Sequence, residues 1–278
     1  MITRRATDQG VTFLDVETPL CTATLCLQGA HLTSWKPEGQ EECLFLSPNA
    51  VFAPGKAIRG GIPVCWPWFG PRKGEPSHGV ARTSEWRLHH QETDKRGNAL
   101  LSLAFYPEDG SYPAAILRLA LGRTLAMKLE TTARMQPCKL TEAFHNYFAV
   151  GNLTKCRVHG LDDVPFREEA AQPMKHGERP LAPLGCLDRV YDCPACSGKI
   201  VLEDFVLNRA ITVERDHASS VIIWNPGQQG AGNMADLGAE SWNKFLCVEM
   251  GNADSRCIPL ASGQSHTLCQ KITVGPLE

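Results

Sequence analysis

Glu249 closes the apolar run Phe245-Leu-Cys-Val-Glu249. A glutamate is seldom buried without a reason, and burial moves its pKa toward the range of a general base. The plain alternative is a strand end that faces solvent. His145 lies in Leu140-Thr-Glu-Ala-Phe-His-Asn-Tyr-Phe148, which alternates. As a strand it sends Phe144, Asn146 and Phe148 to one side, and Ala143, His145 and Tyr147 to the other. An imidazole there either gives and takes protons near neutral pH or is a satisfied structural histidine.

Two further stretches carry arginines. Ile58-Arg-Gly-Gly-Ile-Pro-Val-Cys-Trp-Pro-Trp-Phe-Gly70 is too rich in glycine and proline for a regular strand or helix, so it predicts a rigid, shaped loop. Gly60-Gly61 permits close approach to the backbone beside Arg59. Arg59 is then a surface residue on a packed aromatic loop or part of an anion site. In Ser77-His-Gly-Val-Ala-Arg82, His78 and Arg82 flank a small apolar centre, and a guanidinium fork suits phosphate. Neither GxxxxGK[ST] nor a GxGxxG between strand and helix is present, so side chains would have to hold any phosphate. Asp188, in Leu187-Asp-Arg-Val-Tyr191, is costly to bury unpaired. It pairs with Arg189 or it binds sugar.

Strand signals dominate the chain around these stretches. Cys21–Leu27 is β-prone and ends at a glycine. Residues 126–134 alternate, with Met127, Leu129 and Ala133 inward and Lys128, Glu130 and Arg134 outward. Residues 220–224 and 245–249 are short apolar runs bounded by turn residues, and residues 267–274 alternate again. With 19 prolines and 24 glycines, little room is left for long helices. The one helical candidate spans Asp236 to Lys244, and Gln228–Asn233 reads as a flexible surface loop. The fold expected is all-β, a large antiparallel sandwich, in one domain over residues 1–278.

Composition narrows the partners. The 278 residues are 43% hydrophobic and 21% charged, ordinary values for a globular protein with a sizeable core. A net charge of −2 gives no reason to expect nucleic acid or an acidic membrane. No apolar run is long enough to span a bilayer, and the start has no apolar core of a signal peptide. Asn152-Leu-Thr154 fits a glycosylation sequon that is incidental without secretion. The 12 cysteines therefore read as reduced, buried, small apolar residues. Cys193-Pro-Ala-Cys196 lacks the second pair a structural zinc needs and reads as a turn.

Together these stretches resemble the hexose-6-phosphate mutarotases (glucose-6-phosphate 1-epimerases) of the aldose 1-epimerase-like superfamily. The blocks that match, in order, are Ile58–Gly70, His78–Arg82, Leu140–Phe148, Asp188–Tyr191, Trp224–Pro226 and Cys247–Glu249. The chain departs after Trp224-Asn-Pro226, where the family usually has tryptophan and then lysine. Here Gly227 follows, and Gln228–Asn233 has no lysine. Met250-Gly-Asn252 also differs from the commoner alanine or proline before glycine.

The resemblance implies a β-supersandwich of galactose-mutarotase type. By position, His145 matches the catalytic acid and Glu249 the catalytic base. Arg59 and Arg82 match the arginines that hold phosphate, and His78 and Asp188 match residues lining the sugar pocket. Anomer exchange breaks and remakes the C1–O5 bond, with one proton leaving the anomeric hydroxyl and one reaching the ring oxygen. Such catalysis expects a protonated His145 and an ionised Glu249 at the start, and no metal or other cofactor. A cytoplasmic monomer acting on a small hexose 6-phosphate is expected. The competing readings are a mutarotase for unphosphorylated aldoses, which would leave two arginines nothing to neutralise, and a non-catalytic sugar-phosphate binder, which would need no acid and base.

Overall fold

The computed structural model describes residues 1–107, 110–168, 174–193 and 195–277, and it is built from antiparallel sheets. One eight-stranded sheet runs in the order Lys175–His176, Pro165–Arg167, Leu187–Asp192, Ser220–Asn225, Phe245–Asn252, Glu142–Phe144, Val64–Cys65. Its eighth strand, Tyr147–Ala149, also pairs with Phe245–Asn252. A second eight-stranded sheet holds the long alternating strands Thr124–Thr132 and Ser265–Gly275 near its centre. A four-stranded sheet takes up the first part of the chain, from Ile2 to Pro37.

Alternation explains the packing. In Thr124–Thr132 and just beyond, Met127, Leu129 and Ala133 are buried while Lys128 and Arg134 are exposed, as the sequence predicts. The inward faces meet around Trp35, Trp66, Trp86, Phe144 and Phe148, each at most 1% exposed. Buried polar struts cross this core. Asn146 and Gln270 exchange two amide hydrogen bonds of 2.9 Å each, and Asn146 Nδ2 also donates to the Val248 carbonyl at 2.9 Å. Trp66 Nε1 donates to Thr131 Oγ1 at 2.9 Å. Each strut satisfies groups that would otherwise be costly to bury, and each ties the site-bearing sheet to its neighbour.

Three local expectations change. Leu140–Phe148 forms three short strands rather than one: Cys138–Leu140 pairs with Ile258–Leu260, and Glu142–Phe144 and Tyr147–Ala149 pair with Phe245–Asn252. Gln228–Asn233 is not a flexible loop, because a short helix covers Gly227–Gly232. Its Ala231 is fully buried against Tyr147, Phe245 and Leu237, so packing overrides the poor helix propensity of glycine. Gly227, at φ 66°, also lies where a side chain would meet Cys186. The helical candidate at 236–244 is a 3₁₀ helix over Ala239–Lys244.

Candidate active site

The pairing register brings His145 and Glu249 together. Phe144 pairs with Met250 and Tyr147 with Cys247, so the register is the same on both sides of the gap at residues 145 and 146. His145 therefore falls opposite Glu249. Its Nε2 lies 3.4 Å from Glu249 Oε1. Within the gap the backbone turns elsewhere: the His145 amide donates to the Pro63 carbonyl at 3.0 Å and the Tyr147 amide to the Gly61 carbonyl at 2.9 Å. The Ile58–Gly70 loop thus clamps this segment, and Val64–Cys65 within it pairs with Glu142–Phe144.

The same sheet face supplies the surroundings. Asp188, Trp224, Cys247 and Tyr147 line up across four strands. The His145 ring stacks on Tyr147, with centroids 4.7 Å apart and planes 8° apart, and meets Trp224 edge-on at 5.9 Å. His78 lies 5.8 Å from His145, against Phe69 at 4.9 Å. Its Nδ1 accepts from the Gly70 amide at 3.3 Å, which leaves the ring proton on Nε2.

The two arginines are held differently. Arg59 Nε donates to Asp236 Oδ2 at 3.1 Å, its Nη2 lies 3.1 Å from the same oxygen, and Nη1 donates to Tyr147 Oη at 3.0 Å. Arg82 uses one nitrogen on the Ser77 carbonyl at 2.8 Å. Asp188 is exposed and does not pair with Arg189, which turns to Glu168 and Glu178 instead. Adjacent residues on a strand point to opposite faces, so the structural alternative for Asp188 falls. Gly60 and Gly61 have positive φ, but the group that comes close is the chain's own backbone at Phe45–Ser47 and Leu32–Thr33.

Burial governs the charges. Glu249 is pushed well above the ordinary carboxylate range by desolvation, then by Asp188, with Arg82 opposing. His145 is pulled well below the usual imidazole range by desolvation, then by its coupling to His78 and by the positive fields of Arg82 and Arg59. His78 is lowered to about 3, by burial first and then by the two arginines. Both shifts favour the neutral imidazole and the neutral carboxyl over the expected imidazolium–carboxylate pair. The two states contain the same number of protons and differ only in which side of the 3.4 Å contact carries one of them. His145 Nδ1 and Glu249 Oε2 are buried with no hydrogen-bond partner, so the pair has unused donor and acceptor capacity.

All six residues singled out in the sequence surround this face. The pair's wider setting was less legible: Asp236 had no motif to mark its hold on Arg59. A cleft of about 790 Å³ lies on the other side of the Trp66–Gly70 loop, lined by Pro67, Trp68 and Thr141 rather than by His145 or Glu249.

Comparison with known proteins gives the chain's family. The aldose 1-epimerase family profile matches residues 14–273. A protein of Escherichia coli K12 named "Putative glucose-6-phosphate 1-epimerase" is 38% identical over 268 residues, 91% of this chain and 87% of its own. One of the same name from the plant Cenchrus ciliaris is 32% identical, covering 82% of this chain and 74% of its own. Among solved structures, a mutarotase-type protein of Salmonella typhimurium, YeaD, superposes with a TM-score of 0.89 at 33% identity, over 99% of this chain and 94% of its own. Galactose 1-epimerase of Lactobacillus acidophilus shares the fold at 12% identity, with a TM-score of 0.73 over 100% of this chain and 98% of its own.

Proposed function

Because the chain belongs to the aldose 1-epimerase family, we propose that it interconverts the α and β anomers of hexose 6-phosphates, glucose 6-phosphate foremost. The observation that carries this reading is one sheet face with a buried acid–base pair 3.4 Å apart and two arginines whose fields reach it. O1 and O5 of a pyranose share one carbon, so two proton-transfer groups this close can serve both oxygens at once. Glu249 takes the proton from the anomeric hydroxyl while His145 gives one to the ring oxygen. The aldehyde then turns about C1–C2 and recloses with the roles reversed. General acid–base catalysis of this kind contributes ~10²–10⁴-fold.

The arginines have two tasks in this scheme. They anchor the phosphate through charge-assisted hydrogen bonds, which positions the ring. Burial is the first cause of the lowered His145 pKa, and a phosphate dianion beside the arginines offsets the second, their positive field, so substrate binding shifts His145 toward the imidazolium that must act as acid. His78 Nε2–H and Asp188 supply a donor and an acceptor for sugar hydroxyls. A neutral aldose offers the arginines no partner, which favours the phosphorylated substrate over galactose or glucose. The protein is proposed to act as a single-domain monomer in the cytoplasm; no helix among the described residues is long and apolar enough to cross a membrane.

NMR exchange between α and β anomer signals tests the reading, with glucose 6-phosphate, glucose and galactose compared at equal concentration. Exchange well above the buffer rate for glucose 6-phosphate, and far weaker for the other two, is expected. Equal rates for all three would move the assignment to a mutarotase for unphosphorylated sugars.

A further inference from the structure

The reactive face holds a third side chain that proton transfer does not use. Cys247 is fully buried one strand position from Glu249, and a ligand atom from each of His145, Cys247 and Glu249 lies within 4.8 Å of the others. Among the described residues no other group of three or more histidine, cysteine or acidic side chains has such spacing, and Cys193 and Cys196 are not part of one. Zinc–ligand bonds of about 2.0–2.3 Å put tetrahedral ligands roughly 3.5 Å apart, so closure around an ion takes side-chain shifts of about an ångström. Nitrogen, sulfur and oxygen donors in one set are those zinc accepts, and a thiolate selects against magnesium and calcium.

Charge balance favours the same ion. A thiolate, a carboxylate and a neutral imidazole around Zn²⁺ sum to zero, which is the cheapest way to place a divalent ion in a buried site. Burial favours the neutral imidazole, the form that ligates. His145 Nδ1 and Glu249 Oε2 are buried and unpartnered, so no hydrogen bond at these atoms resists the side-chain shifts that closure requires. Three protein ligands leave a fourth position for water or a sugar oxygen.

We propose that His145, Cys247 and Glu249 form an inhibitory site for a thiophilic divalent cation, Zn²⁺ by preference, which occupies the reactive pair and excludes its proton chemistry. Metal binding stands on the geometry alone; its effect on turnover rests on the acid–base reading of the pair. Binding displaces one proton from the thiol and one from the His–Glu pair, so affinity rises with pH.

The test titrates the metal-free full chain with Co²⁺ and reads the near-ultraviolet thiolate-to-cobalt charge-transfer band, then displaces Co²⁺ with Zn²⁺. One equivalent is expected to bind. Cys247→Ser should abolish the band and weaken Zn²⁺ at least ~10-fold, while the double variant Cys186→Ser/Cys196→Ser, which removes two exposed thiols, should keep both. Should Cys247→Ser fail to fold, His145→Asn is the deciding variant, with the same ~10-fold loss expected. No band in the wild type, a band that survives Cys247→Ser, or a band lost with Cys186 and Cys196 overturns the proposal. Added Zn²⁺ should also slow anomer exchange, reversed by a chelator. If the metal-free chain shows no exchange with any hexose, the enzymatic reading fails, and the cobalt titration still decides the metal site.

Discussion

Two histidine–glutamate pairs, each with a buried glutamate, lie on opposite faces of the site-bearing sheet, and their surroundings differ. His145 and Glu249 meet at 3.4 Å on one face of the sheet. His266 Nε2 and Glu142 Oε1 meet at 3.2 Å on the other, where Glu142 pairs in register with Asn252. Burial raises both glutamates. The difference is in what surrounds them. Glu142 accepts from Thr131 Oγ1 at 3.4 Å and is further lowered by hydrogen bonds from His266 and Asn252. Its Oε1, like Glu249 Oε2, completes no hydrogen bond, but Oε2 is held by Thr131 and the carboxyl joins the two sheets. Glu249 faces Asp188, which raises it further, and keeps an unpartnered oxygen. Each glutamate is buried and keeps one oxygen without a hydrogen bond, so what separates a strut from a proton-transfer pair is the groups it faces: Thr131, His266 and Asn252 hold Glu142 between the sheets, while Glu249 faces Asp188 and the field of Arg82.

Removing the imidazole of the His145–Glu249 pair should have the largest effect. His145→Asn is expected to slow anomer exchange ~10²-fold or more with the fold intact, because Phe144 and Phe148 carry the packing on the opposite face. Exchange rates together with near-ultraviolet circular dichroism check both halves; an unfolded variant would put His145 in the class of His266. Next in size is Arg82→Ala. Loss of one charge-assisted hydrogen bond, ~1.5–3 kcal/mol, should raise KM for glucose 6-phosphate roughly 10- to 100-fold and leave glucose almost untouched. Equal losses for both sugars would make Arg82 structural. Since Arg59 is already engaged by Asp236 and Tyr147, Arg82 is the more available of the two cations.

The His266–Glu142 pair should respond in the other currency. His266→Ala leaves a buried carboxyl short of a partner and is expected to cost ~1–3 kcal/mol in urea unfolding. Exchange per folded molecule should stay within a few-fold. A variant of undiminished stability but poor turnover would reverse the comparison.

A third buried histidine gives the smallest effect and fixes the sign of the pH dependence. His31 Nε2 bonds the Gly60 carbonyl at 2.7 Å, and burial lowers its pKa from 6.5 to about 4. The unfolded chain then binds the proton more tightly than the folded one. Stability is fully present above pH 6.5 and is lost as pH falls toward 4. Unfolding free energies from urea titrations at pH 7 and 5 should differ by roughly 1–2 kcal/mol more in the wild type than in His31→Gln. An equal pH response in the two would show that His31 is accessible or charged in the folded state.

Much of this site can be read from the chain because strands expose it. Alternation puts His145 and Tyr147 on one side and Phe144 on the other, and a glutamate after four apolar residues marks Glu249 as buried. Register, however, is a property of two strands, so no single stretch reveals that His145 stands opposite Glu249. The same limit hides the Glu142–His266 strut, whose members are far apart in sequence, and the hold of Asp236 on Arg59. Propensity misjudged Gly227–Gly232, where packing of Ala231 and the close approach of Cys186 decide the helix. Each of these features depends on contacts between distant segments, which composition and periodicity do not encode.

The most direct measurement makes the same substitution in both pairs. Anomer exchange on saturating glucose 6-phosphate is compared by NMR for Glu249→Gln and Glu142→Gln, normalised to folded protein. Glutamine keeps size and hydrogen bonding but cannot accept the proton. The account predicts a loss of ~10²-fold or more for Glu249→Gln and a change of no more than a few-fold for Glu142→Gln. Near wild-type exchange in Glu249→Gln, or an equal loss in both variants, would contradict it.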